Sequence, residues 1–128
     1  MSDQRKKLAI LLWAATAERP QLCATPFVHA AAAAAVDCEV EIHFAGPTVR
    51  LLVAGVAESL RPWPQAETSI YQMIRQATNL GVRLNACAMA MGALVAKDEP
   101  LIPEYGGTIA ASAFVVRALD PEWATLVY

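Results

Sequence analysis

Apolar and polar positions fall in blocks along this chain, and the blocks read as strand followed by helix, repeated. Lys7 to Ala15 is a nearly continuous apolar run that gives way to a polar stretch, Thr16 to Thr25. Such a run suits a strand buried on both faces, as in parallel sheets. Thr25-Pro26 then has the form of a helix start, with threonine as the cap and proline at the first helical position. The predicted helix continues through Phe27, Val28 and the alanines from Ala30 to Ala35. Alanine has the best helix propensity, and its small side chain lets a helix lie close on a sheet. Asp37-Cys38 closes the unit. Glu39 to Ala45 alternates, with Val40, Ile42 and Phe44 on one face, which predicts a second strand. Gly46-Pro47-Thr48 turns into a short helix, Val49 to Val53, that Gly55 interrupts. The next stretch, Arg61 to Glu67, has two prolines in seven residues and is expected as an exposed loop.

Thr68 or Ser69 caps the following helix. Ile70, Met73, Ile74, Ala77 and Leu80 recur there at helical spacing and predict a core-facing stripe. Gly81 supplies the left-handed stop. Val82 to Ala88 is the third strand by position; its Ala, Met and Leu residues would also suit a helix, so Gly81 and the alternation of units decide for the strand. Asp98 to Gly107 is expected as a loop with a short strand at Leu101-Ile102. Thr108 should cap a helix reaching about Leu119, ended by Asp120-Pro121, and Trp123 to Tyr128 reads as the last strand. This order predicts a single α/β domain over residues 1–128. The expected architecture is a flavodoxin-like three-layer sandwich, a mostly parallel sheet of four or five strands with helices on both faces. No fixed sequence period suggests a solenoid instead.

Composition adds an interface to this picture. Of the 128 residues, 56% are hydrophobic and only 17% charged. A lone small domain has too little interior for that much apolar surface, so a buried face between subunits is expected. Ten basic against twelve acidic residues, with no basic run, give no electrostatic reason to expect nucleic acid. No stretch approaches the roughly 18 uninterrupted apolar residues of a membrane span. The segment MSDQRKKLAILLWAATA imitates a secretory leader, with a basic start and Ala15-Thr16-Ala17 resembling a cleavage site. Its apolar run is near the short limit, Asp3 dilutes the basic region, and cleavage would remove the first strand, so the strand reading is preferred.

Cys23, Cys38 and Cys87 are an odd, scattered set with no C-x-x-C spacing and no disulfide framework. A reducing cytoplasm is the expected compartment. In a doubly wound sheet of flavodoxin-like order, the first and third strands are neighbours and their C-terminal ends form the crevice where ligands bind. Cys23, in the loop after strand one, and Cys87, at the end of strand three, then fall at that edge, with Cys38 at the opposite one. Cys87 reads either as a small buried apolar residue or as a reactive thiol, helped if a helix starts just after it. Cys23 reads as a second thiol or as a residue packed under a helix, and Cys38 as structural. His29 and His43 have no partners at metal-ligand spacing, so no zinc site is expected, although a metal-binding redox site needs only Cys23 and Cys87 to be close. Both histidines are expected to be hydrogen-bonded or partly exposed rather than catalytic bases. Glu104-Tyr105 is placed at the edge carrying Cys87. The segment ATAERPQLCAT after strand one holds no glycine, which disfavours a nucleotide or flavin phosphate loop.

The segments LAILLWAA, EVEIHFAG entering PTVRLL, GVRLNACAMAMG and the closing TIAASAFVVRALDPEWATLVY, in that order, resemble the DsrE/DsrF-like sulfur-relay family over nearly the whole chain. The resemblance implies a flavodoxin-type fold assembled into oligomers, here a homotrimer or homohexamer. It also implies a cysteine at the end of the third strand that carries sulfur as a persulfide among small carriers of the TusA kind. The matching position is Cys87. No second cysteine follows it; Met89 and Met91 stand there, which leaves Cys23 as the candidate second thiol. Thiol exchange needs neither metal nor organic cofactor. The implied function is a sulfurtransferase or persulfide carrier, and the alternative is a non-catalytic oligomeric binding module on the same fold.

Overall fold

The computed structural model describes residues 6–128; the Met1-to-Arg5 part of the leader-like segment lies outside the described residues. Five strands, Lys7–Leu12 (β1), Glu39–Phe44 (β2), Arg83–Cys87 (β3), Tyr105–Ile109 (β4) and Trp123–Val127 (β5), form one sheet in the order β4-β3-β2-β1-β5. Every pairing is parallel. The α-helices are Ala24–Ala35 (α1), Ile70–Asn79 (α2), Ala88–Leu94 (α3) and Ala113–Leu119 (α4). The flavodoxin-like three-layer α/β architecture is therefore as expected, but the first and third strands are not neighbours. The connections after β1, β2 and β3 each lead to the adjacent strand, and only the one through α4 crosses back, to place β5 beside β1. β2 thus sits between β1 and β3 and holds them roughly 10 Å apart, two strand spacings.

The register sorts the side chains into two unlike faces. Leu8, Ile10 and Leu12 stand opposite Val40, Ile42 and Phe44, and Ile42 and Phe44 stand opposite Leu84 and Ala86. All of these are buried, and α1 and α2 cover them, with Phe27 of α1 against Phe44 at 6.2 Å between ring centroids. This is the main core. Because strand side chains alternate, the other face carries Glu41, His43, Asn85 and Cys87 beside Ala9 and Leu11, and α4 crosses it over β1 and β5.

Local chemistry explains both ends of α2. Ser69 accepts from the Gln72 amide at 3.1 Å while the Gln72 side chain accepts from the Ser69 amide at 2.8 Å. This reciprocal capping box, typically worth about 1 kcal/mol, resolves the choice between Thr68 and Ser69. Gly81 has φ of +98°, the left-handed stop expected of it. Leu80, at the end of the predicted stripe, is half exposed at 51% and lies past the last helical residue, Asn79, at the cap before Gly81.

Four further expectations are corrected. Cys23, not Thr25, holds the cap position of α1, because a 3-10 turn at Pro20–Leu22 runs straight into the helix. Gly46–Leu52 is one 3-10 helix where a short α-helix was expected at Val49 to Val53, and the expected strand at Leu101-Ile102 is a single antiparallel bridge, Leu101 to Val53. Thr108 lies within β4, and the last helix starts at Ala113.

Candidate functional site

Cys87 is the last residue of β3 and the cap residue of α3, with φ −60° and ψ 121°. The strand delivers its side chain to the α4 face, opposite Ile109 of β4, and leaves it partly exposed. A helix does start just after it: α3 begins at Ala88, where the third strand was expected to continue. Around the thiol lies a small apolar cleft of about 70 Å³ walled by Leu11, His43, Cys87, Ile109, Ala111 and Phe114. A water molecule needs roughly 10 to 15 Å³ of such space, so the cleft has room for a few atoms beyond the thiol. Two larger hollows lie on the outer side of α2 and at the N-terminal ends of β3 and β4; both are open to solvent and neither contains a thiol.

Beneath the cleft sits a charged string that the sequence reading did not assemble. His43 is buried, 4% exposed, and its Nε2 lies 2.9 Å from Glu41 Oε1. Arg117 of α4 reaches across the sheet and donates to both oxygens of Glu41, from Nε at 3.2 Å and Nη2 at 3.3 Å. The Arg117 guanidinium in turn lies over the Trp123 ring, 4.7 Å from its centroid. Burial alone would raise the Glu41 carboxyl, but the hydrogen bonds from Arg117 and His43 outweigh it and hold the group below its ordinary range. Burial keeps the His43 imidazolium disfavoured, against the pull of Glu41. Glu41 is therefore a carboxylate and His43 a neutral imidazole that donates Nε2–H to it. Nδ1 of His43 is left buried, without a hydrogen-bond partner among the described residues. Phe114 meets the same ring edge-on, 5.6 Å between centroids and 72° between planes.

Along β2 the alternation puts Glu41 and His43 on one face, opposite to that of Val40, Ile42 and Phe44. A central strand must bury both faces, and a carboxylate there requires a cation. Arg117 is the one cationic residue in α4, and that was the available signal.

Cys23 is at the C-terminal edge as expected, but β2 separates it from Cys87. It is fully buried, and its thiol points at the carbonyls of Thr16 (3.3 Å) and Arg19 (3.6 Å). Burial, helped by Glu18 nearby, pushes this thiol up to about 11 from 9.0. A thiol that stays protonated and enclosed is a poor nucleophile, so the geometry does not supply Cys23 as a resolving partner. It does set a pH dependence. The folded state holds this proton more tightly than the unfolded chain, so the stabilisation is complete below pH 9 and is lost as pH rises through about 11. Urea midpoints compared at pH 8 and pH 10.5 are expected to fall more steeply in the wild type than in Cys23→Ala; equal slopes would contradict the shift.

Cys38 lies at the opposite edge, partly buried, between α1 and β2. His29 is exposed on α1 and its Nδ1 is hydrogen-bonded to the Tyr128 hydroxyl. Glu104 and Tyr105 are not at the Cys87 edge. Tyr105 pairs with Leu84 near the start of β3, and Glu104 accepts from the Tyr71 hydroxyl at 2.9 Å. The late loop joins the N-terminal end of β4, which in a parallel sheet is the end away from Cys87.

The fold has close counterparts among solved structures. A protein of unknown function from Methanobacterium thermoautotrophicum, MTH1491, superposes with a TM-score of 0.67 at 16% identity, over 96% of this chain and 99% of that one. The ychN protein from E. coli superposes with a TM-score of 0.65 at 13% identity, over 98% of this chain and all of that one (100%). No curated protein matches the sequence. Among the described residues, no helix is long and apolar enough to cross a membrane. The DsrE/DsrF-like family model matches residues 6–127, and with that match over nearly its full length the chain belongs to the DsrE/DsrF-like family.

Proposed function

We propose that this protein is a sulfur-relay carrier in which Cys87 holds sulfur as a persulfide. The observation that carries the reading is the position of Cys87, half-buried in a small apolar cleft at the C-terminal edge of the sheet. Family membership adds the sulfur-relay context. In the loading step the Cys87 sulfur attacks the outer sulfur of a donor persulfide, the donor leaves as a thiol, and Cys87 becomes Cys–S–SH. In unloading, an acceptor thiol attacks that outer sulfur and Cys87 is regenerated. Both steps are thiol exchange, balanced without an external oxidant or reductant.

The donor and acceptor are small carrier proteins of the TusA kind, and the compartment is the cytoplasm, where three free cysteines stay reduced. The working form is a homo-oligomer, a trimer or hexamer. The surface that favours this is the α4–β5 side, where Val115 and Leu119 (55% and 80% exposed) continue onto Val127 of the edge strand. That same surface favours the second reading, a binding module whose Cys87 does no chemistry.

Intact mass spectrometry after incubation with a persulfide donor separates the two. The wild type, Cys23→Ala and Cys38→Ala are expected to gain a single-sulfur adduct that reductant removes, and Cys87→Ser to gain none. An adduct that survives Cys87→Ser, or its absence in the wild type, would sink the carrier reading.

A further inference from the structure

The unpartnered Nδ1 of His43 is the feature that the carrier reading leaves unexplained. A buried acceptor without a donor is uncommon and calls for a physical reason. Glu41 fixes the tautomer: a carboxylate only accepts, so Nε2 carries the hydrogen and Nδ1 carries the lone pair. Glu41 precedes His43 on the same face of β2, toward the N-terminal edge of the sheet. The two nitrogens of an imidazole diverge across the ring, so Nδ1 is turned away from Glu41, and His43 and Cys87 wall the same cleft at the C-terminal edge. The ring is held from three sides: by the Glu41–Arg117 pair, by the Phe114 edge, and by its strand neighbours Leu11 and Asn85. Glu41 from β2 and Arg117 from α4 are the charged groups against it, and neither contact leaves Nδ1 occupied.

We propose that Nδ1 of His43 takes and returns the proton in sulfur exchange at Cys87, with Glu41 and Arg117 as positioning residues; the assignment rests on the persulfide-carrier reading. In loading, His43 accepts the Cys87 thiol proton as the new S–S bond forms, the donor's S–S bond breaks, and the proton passes to the departing donor thiolate. In unloading, the acceptor thiol gives its proton to Nδ1, its sulfur bonds to the outer sulfur, the Cys87 S–S bond breaks, and the proton returns to Cys87. The imidazolium formed in between is stabilised by Glu41. A base oriented by a third group beside a nucleophile is the general form of such sites.

Two measurements test it. Nitrogen NMR of the wild-type protein labelled in histidine reads the tautomer without any substitution. We expect Nε2 protonated and Nδ1 bare, with the His43 Nδ1 signal moving when Cys87 is converted to its methyl disulfide, a stand-in for the persulfide. The His29 signals should not move. A protonated Nδ1, a signal indifferent to the modification, or a Cys87 that takes no modification overturns the assignment. In the second measurement, His43→Asn is expected to slow loading and unloading roughly 100-fold, as loss of a general acid–base does, while the final extent of loading is unchanged. Loading at the wild-type rate overturns the proposal. A wild type that shows the NMR coupling but takes up no sulfur upholds the His43–Cys87 pairing and removes the sulfur cargo, so the two readings fail separately.

Discussion

Gly106→Ala is expected to destabilise the protein by at least about 3 kcal/mol, the upper end of ordinary overpacking. A Cβ at this position would lie 2.4 Å from the Leu84 carbonyl oxygen and 3.3 Å from its carbon, both in the backbone of the neighbouring strand. No rotamer change relieves a contact with main chain. β4 must move, and it is an edge strand whose register already slips between Leu84 and Ala86. Ile109 moves with it, so the wall opposite Cys87 opens. Chemical denaturation should therefore show a lower midpoint, and native-state alkylation of Cys87 should speed up. Gly92→Ala is the control. It lies within α3, and apart from that helix's own backbone and the adjoining residues no described atom comes within 4 Å of the added carbon, so alanine should stabilise that helix by up to about 1 kcal/mol. A Gly106→Ala protein as stable as wild type would mean that β4 is not held where it stands.

The second large effect is expected from Phe44→Ala, a loss of about 3 to 5 kcal/mol. Phe44 is fully buried on the central strand β2, and its ring packs against Phe27 of α1 with 31° between planes. Truncation removes the transfer free energy of the ring and leaves a cavity that β1 and β3, hydrogen-bonded on either side, cannot collapse into. Set against a typical domain stability of 5 to 15 kcal/mol, this is a large share. Phe27→Ala should cost a similar amount. The double variant should lose less than the sum, because the second truncation removes a ring whose partner has already gone. Denaturant midpoints for the four proteins of this cycle check it, and additive losses would mean that the two rings are energetically independent.

Much of the fold was legible because its strands and helices carry strong patterns. The alternation from Val40 to Phe44 and the stripe of Ile70, Ile74 and Ala77 each matched one period only, and the short continuous apolar block around Ile10 suited a strand buried on both faces. β4 was missed for the opposite reason. Tyr105–Ile109 reads YGGTI, with two glycines and no apolar alternation, and an edge strand need bury only one side. Thr108 looks like a helix cap in sequence, and only pairing with Ala86 reveals it as strand.

Strand order was hidden as well. Period-two patterns define faces, not neighbours, and expecting β1 beside β3 brought Cys23 closer to Cys87 than the insertion of β2 allows. For the site, the position of Cys87 was readable from Gly81 and the strand that follows it. The surroundings of His43 were not, because they include Phe114 and, through Glu41, Arg117, about seventy residues further along the chain, arriving through the one reversed crossover.

That crossover also sets the order in which a newly made chain acquires its parts. β1 to β4 can be laid side by side as they leave the ribosome, each beside its predecessor. β5 must then return to the free edge of β1, made more than a hundred residues earlier, and Tyr128 closes the sheet by donating to the Leu11 carbonyl at 2.8 Å. Contacts this distant in sequence form slowly. Until they form, α4 has no β5 to lie on, Glu41 lacks Arg117, and the cleft beside Cys87 lacks Phe114. The thiol is therefore made before Ile109, Ala111 and Phe114, and the nascent protein passes through a stage in which Cys87 has only the Leu11 and His43 side of its cleft.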